Sequence, residues 1–102
     1  MSQWRYRKEF VALGAAVREL RGRRRMTQEG LGFESSLHRN YVGAVERGEI
    51  NPTFFTLLRL TAGLDVSLAE LFEVFEAQRA WEPQPSQPTT IDYGRLIAIP
   101  RR

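Results

Sequence analysis

The segment Leu37-His38-Arg39-Asn40-Tyr41-Val42-Gly43-Ala44-Val45-Glu46-Arg47-Gly48 holds the residues best suited to chemistry in this chain of 102 residues. At 3.6 residues per turn, Val42 and Val45 fall on one side; Arg39, Asn40, Gly43, Ala44 and Arg47 fall on or near the other. Arg39 can bond guanine with two prongs, and Asn40 can bond adenine or a phosphate. Gly43 has no side chain, which permits close approach. A mid-helix glycine costs about 1 kcal/mol relative to alanine, so its presence needs a reason such as contact with a duplex or with another helix.

Other chemistries find little support. No nucleophile–base pair, glycine-rich phosphate loop or metal-ligand spacing occurs, so the sequence points away from an enzyme and from any cofactor. There are no cysteines, which excludes disulfides and thiolate metal sites, and His38 as the sole histidine cannot build a zinc centre. Glu70, Glu73 and Glu76 recur at three-residue spacing, the pattern of a solvated helix face. No run approaches the roughly 18 apolar residues of a membrane span. Met1 to Phe10 lacks the apolar core of a signal peptide. The expectation is a bacterial-type cytoplasmic protein, associated with the nucleoid and not with a membrane.

Charge is unevenly distributed. Residues 1–25 carry eight basic and two acidic side chains; residues 26–80 carry four basic and eight acidic. This polarity fits one face for a polyanion, although a solvated basic face would look the same. Within it, Arg23-Arg24-Arg25 reads as a solvated loop or a phosphate contact, and Trp4-Arg5-Tyr6-Arg7-Lys8 as an arm on DNA or a loose terminus.

The elements that must position the Leu37–Gly48 segment are helical. Phe10, Leu13, Val17 and Leu20 mark the buried face of a first helix over about 8–23. Thr27 caps a second helix from Gln28 to about Glu34, and Glu34-Ser35-Ser36 is a polar break. A third helix runs from Arg39 to Arg47, with Tyr41, Val42 and Val45 inward and Gly48 as its stop. Asn51-Pro52 prevents continuation. Leu57, Leu58, Leu60 and Leu64 pattern a fourth helix, fraying near Gly63. Ser67-Leu68-Ala69-Glu70 is a capping box opening a fifth helix to Ala80 or Trp81, with Leu68, Leu71, Phe72 and Phe75 as its core stripe. A second stripe, Val74, Ala77, Gln78 and Trp81, fits a homodimer contact, with a looser core contact as the alternative. Three prolines within Glu82–Pro88 then break the pattern. Residues 8–81 read as one domain, and 82–102 as a Pro-rich linker and tail that could fold back, pair with a partner or extend.

A second helix, a tight turn and a third helix make a helix-turn-helix arrangement. Met26-Thr27-Gln28-Glu29-Gly30-Leu31, Tyr41 to Gly48, Asn51-Pro52-Thr53 and Leu64 to Phe72 together resemble the XRE family of lambda-repressor/Cro-type domains. Within it, Leu37 to Gly43 with Glu46-Arg47 is most similar to the controller proteins of restriction–modification systems. The resemblance implies an all-α, five-helix lambda-repressor-like domain with an extended or disordered C-terminal tail. Its implied function is sequence-specific binding of double-stranded DNA, as a homodimer on an inverted-repeat operator, to regulate transcription.

Carried over by position, the resemblance implies that Gln28 bonds a phosphate and braces the third helix, and that Thr27 touches the backbone. His38 would be the third helix's N-cap near the backbone. Arg39, Asn40, Gly43 and Ala44 would take base-reading positions, Arg47 would reach phosphate, and Glu46 would pair with Arg21. Three features depart from the family: Gly30 and Gly32 should soften the second helix, Ser36 stands where glycine is usual, and the tail has no counterpart. The competing reading is an antitoxin or other protein-binding module whose Glu82–Arg102 segment folds onto a partner protein.

Overall fold

The computed structural model describes residues 3–81, and among them there are five α-helices and no strand. The expectations for the linker and tail, residues 82–102, lie outside the described residues. The helices are α1 (Arg7–Arg23), α2 (Gln28–Ser35), α3 (Arg39–Glu46), α4 (Phe54–Leu64) and α5 (Leu68–Ala80).

Four of the five helices begin on a side chain that takes up an orphan amide. Thr27 Oγ1 accepts from Gly30 N at 2.8 Å, His38 Nδ1 from Asn40 N at 3.0 Å, Thr53 Oγ1 from Thr56 N at 3.1 Å, and Ser67 Oγ from Glu70 N at 3.0 Å. The first four helices end alike, on one residue in the left-handed region followed by a bond back into the last turn. At the end of α3, Gly48 (φ 76°) lets Glu49 N bond Ala44 O and its own amide bond Val45 O, both at 3.0 Å. Arg25, Ser36 and Asp65 hold the same conformation at φ 57–59° without being glycine. Such non-glycine residues carry a cost of about 1 kcal/mol or more each. Ser36 is thus strained, as expected for that turn.

The core joins α1 (Ala16, Val17, Leu20), α2 (Leu31), α3 (Val42, Val45), α4 (Leu60, Leu64) and α5 (Leu71, Val74). Helix α1 packs on α3 and α5, while α2 packs on α3 and α4. Close approach requires glycine at several of these seams, among them Gly14 of α1 against the backbone of Val45 and Glu46 in α3. A Cβ on Gly32 would lie 2.5 Å from Leu37 O, so this glycine serves the turn between α2 and α3. One on Gly63 would lie 2.1 Å from Ser35 Oγ, so Gly63 is a packing contact between α4 and α2 and not a fraying end.

Two expectations about faces need correction. Val74, read as a homodimer contact with a looser core contact as the alternative, is buried in this chain's own core, and Gln78 Nε2 donates to Glu19 on α1 at 2.9 Å. Phe72, expected inside, is 40% exposed, so α5 is rotated on α1 relative to the expected stripe. In α4, Leu58 of the helix-defining leucines is turned outward, at 41% exposed. The reason is the same in each case: these helices are apolar on more than one side, and periodicity alone does not say which side meets the neighbours. The segment before α1 is also better organised than expected. Gln3–Tyr6 form a 3-10 turn running into α1, and an Arg7 guanidinium donates to the carbonyl of Gly48. The arginine run is partly used internally, since Arg23 pairs with Glu19 and Arg24 reaches Gly63 O.

Candidate nucleic-acid interface

Helices α2 and α3 enclose an open concavity of about 560 Å³. Six of the eight residues expected to contact DNA line it: Thr27, Gln28, Arg39, Asn40, Gly43 and Arg47, joined by Arg21 and Glu29. His38 sits just outside as the cap of α3, and Ala44 is half-buried one turn beyond Asn40. The local sequence explains the arrangement. The His38 cap starts α3 so that Arg39 and Asn40 are its first two residues and both are exposed, while Val42 and Val45 anchor its rear. The exposed N-terminal end of such a helix is the part that meets base edges when it lies in a major groove.

Behind α3 lies a buried ionic network. Arg21 Nε meets Glu46 Oε2 at 2.6 Å and Arg21 Nη2 meets Oε1 at 3.0 Å, a two-pronged pair. Arg21 Nη1 also donates to Met26 O at 2.8 Å, tying the loop between α1 and α2 to the same point. Arg18 Nε approaches Glu46 Oε1 at 3.4 Å. The Glu46 side chain is fully buried. Burial by itself would push its carboxyl up; hydrogen bonds from Arg21 and Gln28, the Arg21 charge and a bond from Arg18 overcome this and hold it below the usual glutamate value.

Gln28 reaches into this network from α2 and braces α3. Its Nε2 donates to Glu46 Oε1 at 2.9 Å, which commits one of its two amide hydrogens inward. Its Oε1 lies over Gly43: a Cβ there would be 3.3 Å from Gln28 Oε1 and 3.1 Å from Arg47 Nη1. Gly43 is therefore buried beneath the side chains of Gln28 and Arg47, which accounts for a glycine inside α3 through α2 packing.

Two features of the site were not anticipated from sequence. Arg39 Nη1 stands 3.4 Å from Glu29 Oε1, and Arg47 pairs with Glu49 at 2.9 and 3.2 Å. The hydrogen bond from Arg47 lowers the Glu49 carboxyl, and the same bond raises Arg47 further. Each arginine of the concavity thus has a carboxylate within reach, and the site is near electrical balance before any ligand arrives. The i+2 spacing of Arg47 and Glu49 was a usable signal; the Glu29–Arg39 contact spans two helices and had none.

The helix-turn-helix family profile matches residues 17–71. The chain belongs to the XRE-type helix-turn-helix family. It is 42% identical over 59 residues to the control protein C.SmaI of Serratia marcescens, covering 58% of this chain and 70% of that one. It is 34% identical over 64 residues to the control protein C.BamHI of Bacillus amyloliquefaciens, covering 62% and 79%. Among solved structures, the restriction–modification controller C.AhdI of Aeromonas hydrophila shares 44% identity at a TM-score of 0.61, covering 62% of this chain and 96% of that one. The controller C.Esp1396I, as a tetramer with its natural 35 base-pair operator, shares 30% identity at a TM-score of 0.66, covering 70% and 93%. This XRE-type helix-turn-helix chain is a DNA-binding regulator resembling the restriction–modification controllers.

Proposed function

We propose that this XRE-type protein binds double-stranded DNA sequence-specifically as a homodimer on an inverted-repeat operator and thereby regulates transcription. The observation that carries the reading is the α2–α3 concavity, with Arg39 and Asn40 exposed on the first turn of a helix whose rear is locked into the core. In this reading α3 lies in the major groove, Arg39 and Asn40 read base edges, and Ala44 offers an apolar contact to a thymine methyl. Arg47, Thr27 and the remaining Gln28 amide hydrogen bind phosphates, with His38 close by. Gly43 keeps the floor low beneath Gln28. Two copies related by a two-fold axis would present two α3 helices about one DNA turn apart, roughly 34 Å. No helix among the described residues is long and apolar enough to cross a membrane. The proposed setting is the bacterial cytoplasm.

Selection of binding sites from random duplex DNA, with wild type and Arg39→Ala side by side at fixed salt, tests this. Wild type should recover an inverted repeat, and Arg39→Ala should lose about 1–3 kcal/mol of affinity and blur one base pair in each half-site. Retention of full sequence preference by Arg39→Ala would remove Arg39 from the reading face. Recovery of nothing above background would remove the DNA-reading assignment.

A further inference from the structure

Helices α2 and α3 each start with a charged side chain that reaches toward the other. Thr27 caps α2 so that Glu29 stands in its first turn, and His38 caps α3 so that Arg39 is its first residue. Glu29 Oε1 and Arg39 Nη1 lie 3.4 Å apart, and both side chains are more than half exposed. Both line the concavity between the two helices, beside Asn40, Gly43 and Arg47.

We propose that Glu29 is a specificity-determining positioning residue, which holds the Arg39 guanidinium toward one base pair and takes it back where that base pair is wrong. This rests on the base-reading role of Arg39. An unrestrained arginine discriminates poorly, because its long side chain can swing from a base edge to a phosphate. The contact with Glu29 uses Nη1, whereas the Nε–Nη2 edge carries two parallel hydrogens that match guanine N7 and O6. Glu29 can therefore keep its hold while Arg39 bonds guanine. Where guanine is absent, the carboxylate competes with phosphate for the guanidinium. A wrong site then forfeits the Arg39 contribution, and specificity comes from denying the arginine an alternative partner.

The exposed pair at the other end of α3 is placed differently. Arg47 and Glu49 meet at 2.9 Å around the helix end, away from the turn that carries Arg39 and Asn40, so Glu49 has no hold on either of them. An acid in the first turn also suits the dipole of α2. That contribution alters α2 and weighs on every DNA sequence alike. A preference confined to one base pair separates the two roles.

The test is titration by fluorescence anisotropy, at fixed salt, of wild type, Glu29→Gln, Glu49→Gln and Arg39→Ala against three duplexes. The first is the selected operator as a single inverted repeat. The second replaces, in one half-site, the base pair that Arg39→Ala blurs; the third replaces a different selected base pair. Wild type should prefer the first duplex to the second, and Glu29→Gln should shrink that ratio about three- to fivefold while leaving the ratio of first to third unchanged. Glu49→Gln should keep both ratios of wild type. Adding Glu29→Gln to Arg39→Ala should shrink the first ratio no further than Arg39→Ala alone. Equal gains or losses by Glu29→Gln on all three duplexes would make Glu29 a general charge or a helix-end residue and overturn the proposal, with base reading by Arg39 intact. If Arg39→Ala blurs no base pair, Arg39 reads none, and this role falls together with that reading.

Discussion

Glu46 and Glu49 lie three residues apart at the end of α3, and each holds an arginine. Glu46 is buried and shared among Arg21, Gln28 and Arg18, whereas Glu49 and Arg47 are both about half exposed. The first pair joins α1, the loop at Met26, α2 and α3 at a single carboxylate. The second joins neighbours across one turn, where water screens it and a phosphate could replace the carboxylate. Identical chemistry therefore builds the platform behind α3 and leaves a solvent-screened pair on its front. Burial makes the difference: in the interior an unpaired charge is expensive, and in water it is not.

The comparison can be broken most sharply at Glu46. Glu46→Ala strands Arg21 and Gln28, and urea unfolding should show a loss of about 3–5 kcal/mol. A loss under about 1 kcal/mol would place the pair with ordinary surface pairs. Gln28 links the two regions, so Gln28→Ala should cost about 1.5 kcal/mol of stability as a lost bond to a charged group. It should also weaken DNA binding evenly across sequences; a stability loss with unchanged binding would make Gln28 purely a brace.

Acid titration sharpens the same contrast. The Glu46 carboxyl is depressed in the folded state, so its contribution is full above the ordinary glutamate value of about 4.3 and is lost as the pH falls through the lower folded value. Urea midpoints of wild type should drop below about pH 4, and those of Glu46→Gln should start lower and drop less. Glu19, bonded by Arg23, and Glu49, bonded by Arg47, are lowered too and supply the remaining slope. Parallel curves for the two proteins would show that Glu46 does not carry the transition. The smallest effect is expected at Glu49→Gln. Unfolding should be unchanged, while affinity for duplex DNA of any sequence should rise because Arg47 no longer has to exchange a carboxylate for a phosphate.

Much of the fold was legible because its signals are local. Thr27 and Ser67 announce helix starts, Gly48 announces a stop, and Val42 with Val45 at helical spacing locates the rear of α3. The exposed face of α3 was legible for the same reason: once α3 starts at Arg39, helical geometry puts Arg39, Asn40 and Arg47 outward. The pairing of Arg21 with Glu46 came through family resemblance, since 25 residues separate them and nothing local connects them.

Orientation was the part that failed. Both α4 and α5 carry apolar residues on two sides, so sequence placed Phe72 inside and left Val74 between a chain–chain contact and a core contact; the packing turned Phe72 outward and put Val74 in the core. Gly43 and Gly32 likewise looked like costs to helix stability until neighbouring atoms were in place around them.

By itself, the sequence determined the helices, their ends and the face that α3 turns outward, because capping and periodicity are properties of a few consecutive residues. Only the tertiary structure decided which stripe of α4 and α5 is covered, that Gln28 turns inward to Glu46, and that Arg39 stands beside Glu29. Those outcomes depend on which helices meet and at what rotation, and that is set by the joint packing of all five helices around Leu31, Val42, Leu60 and Leu71.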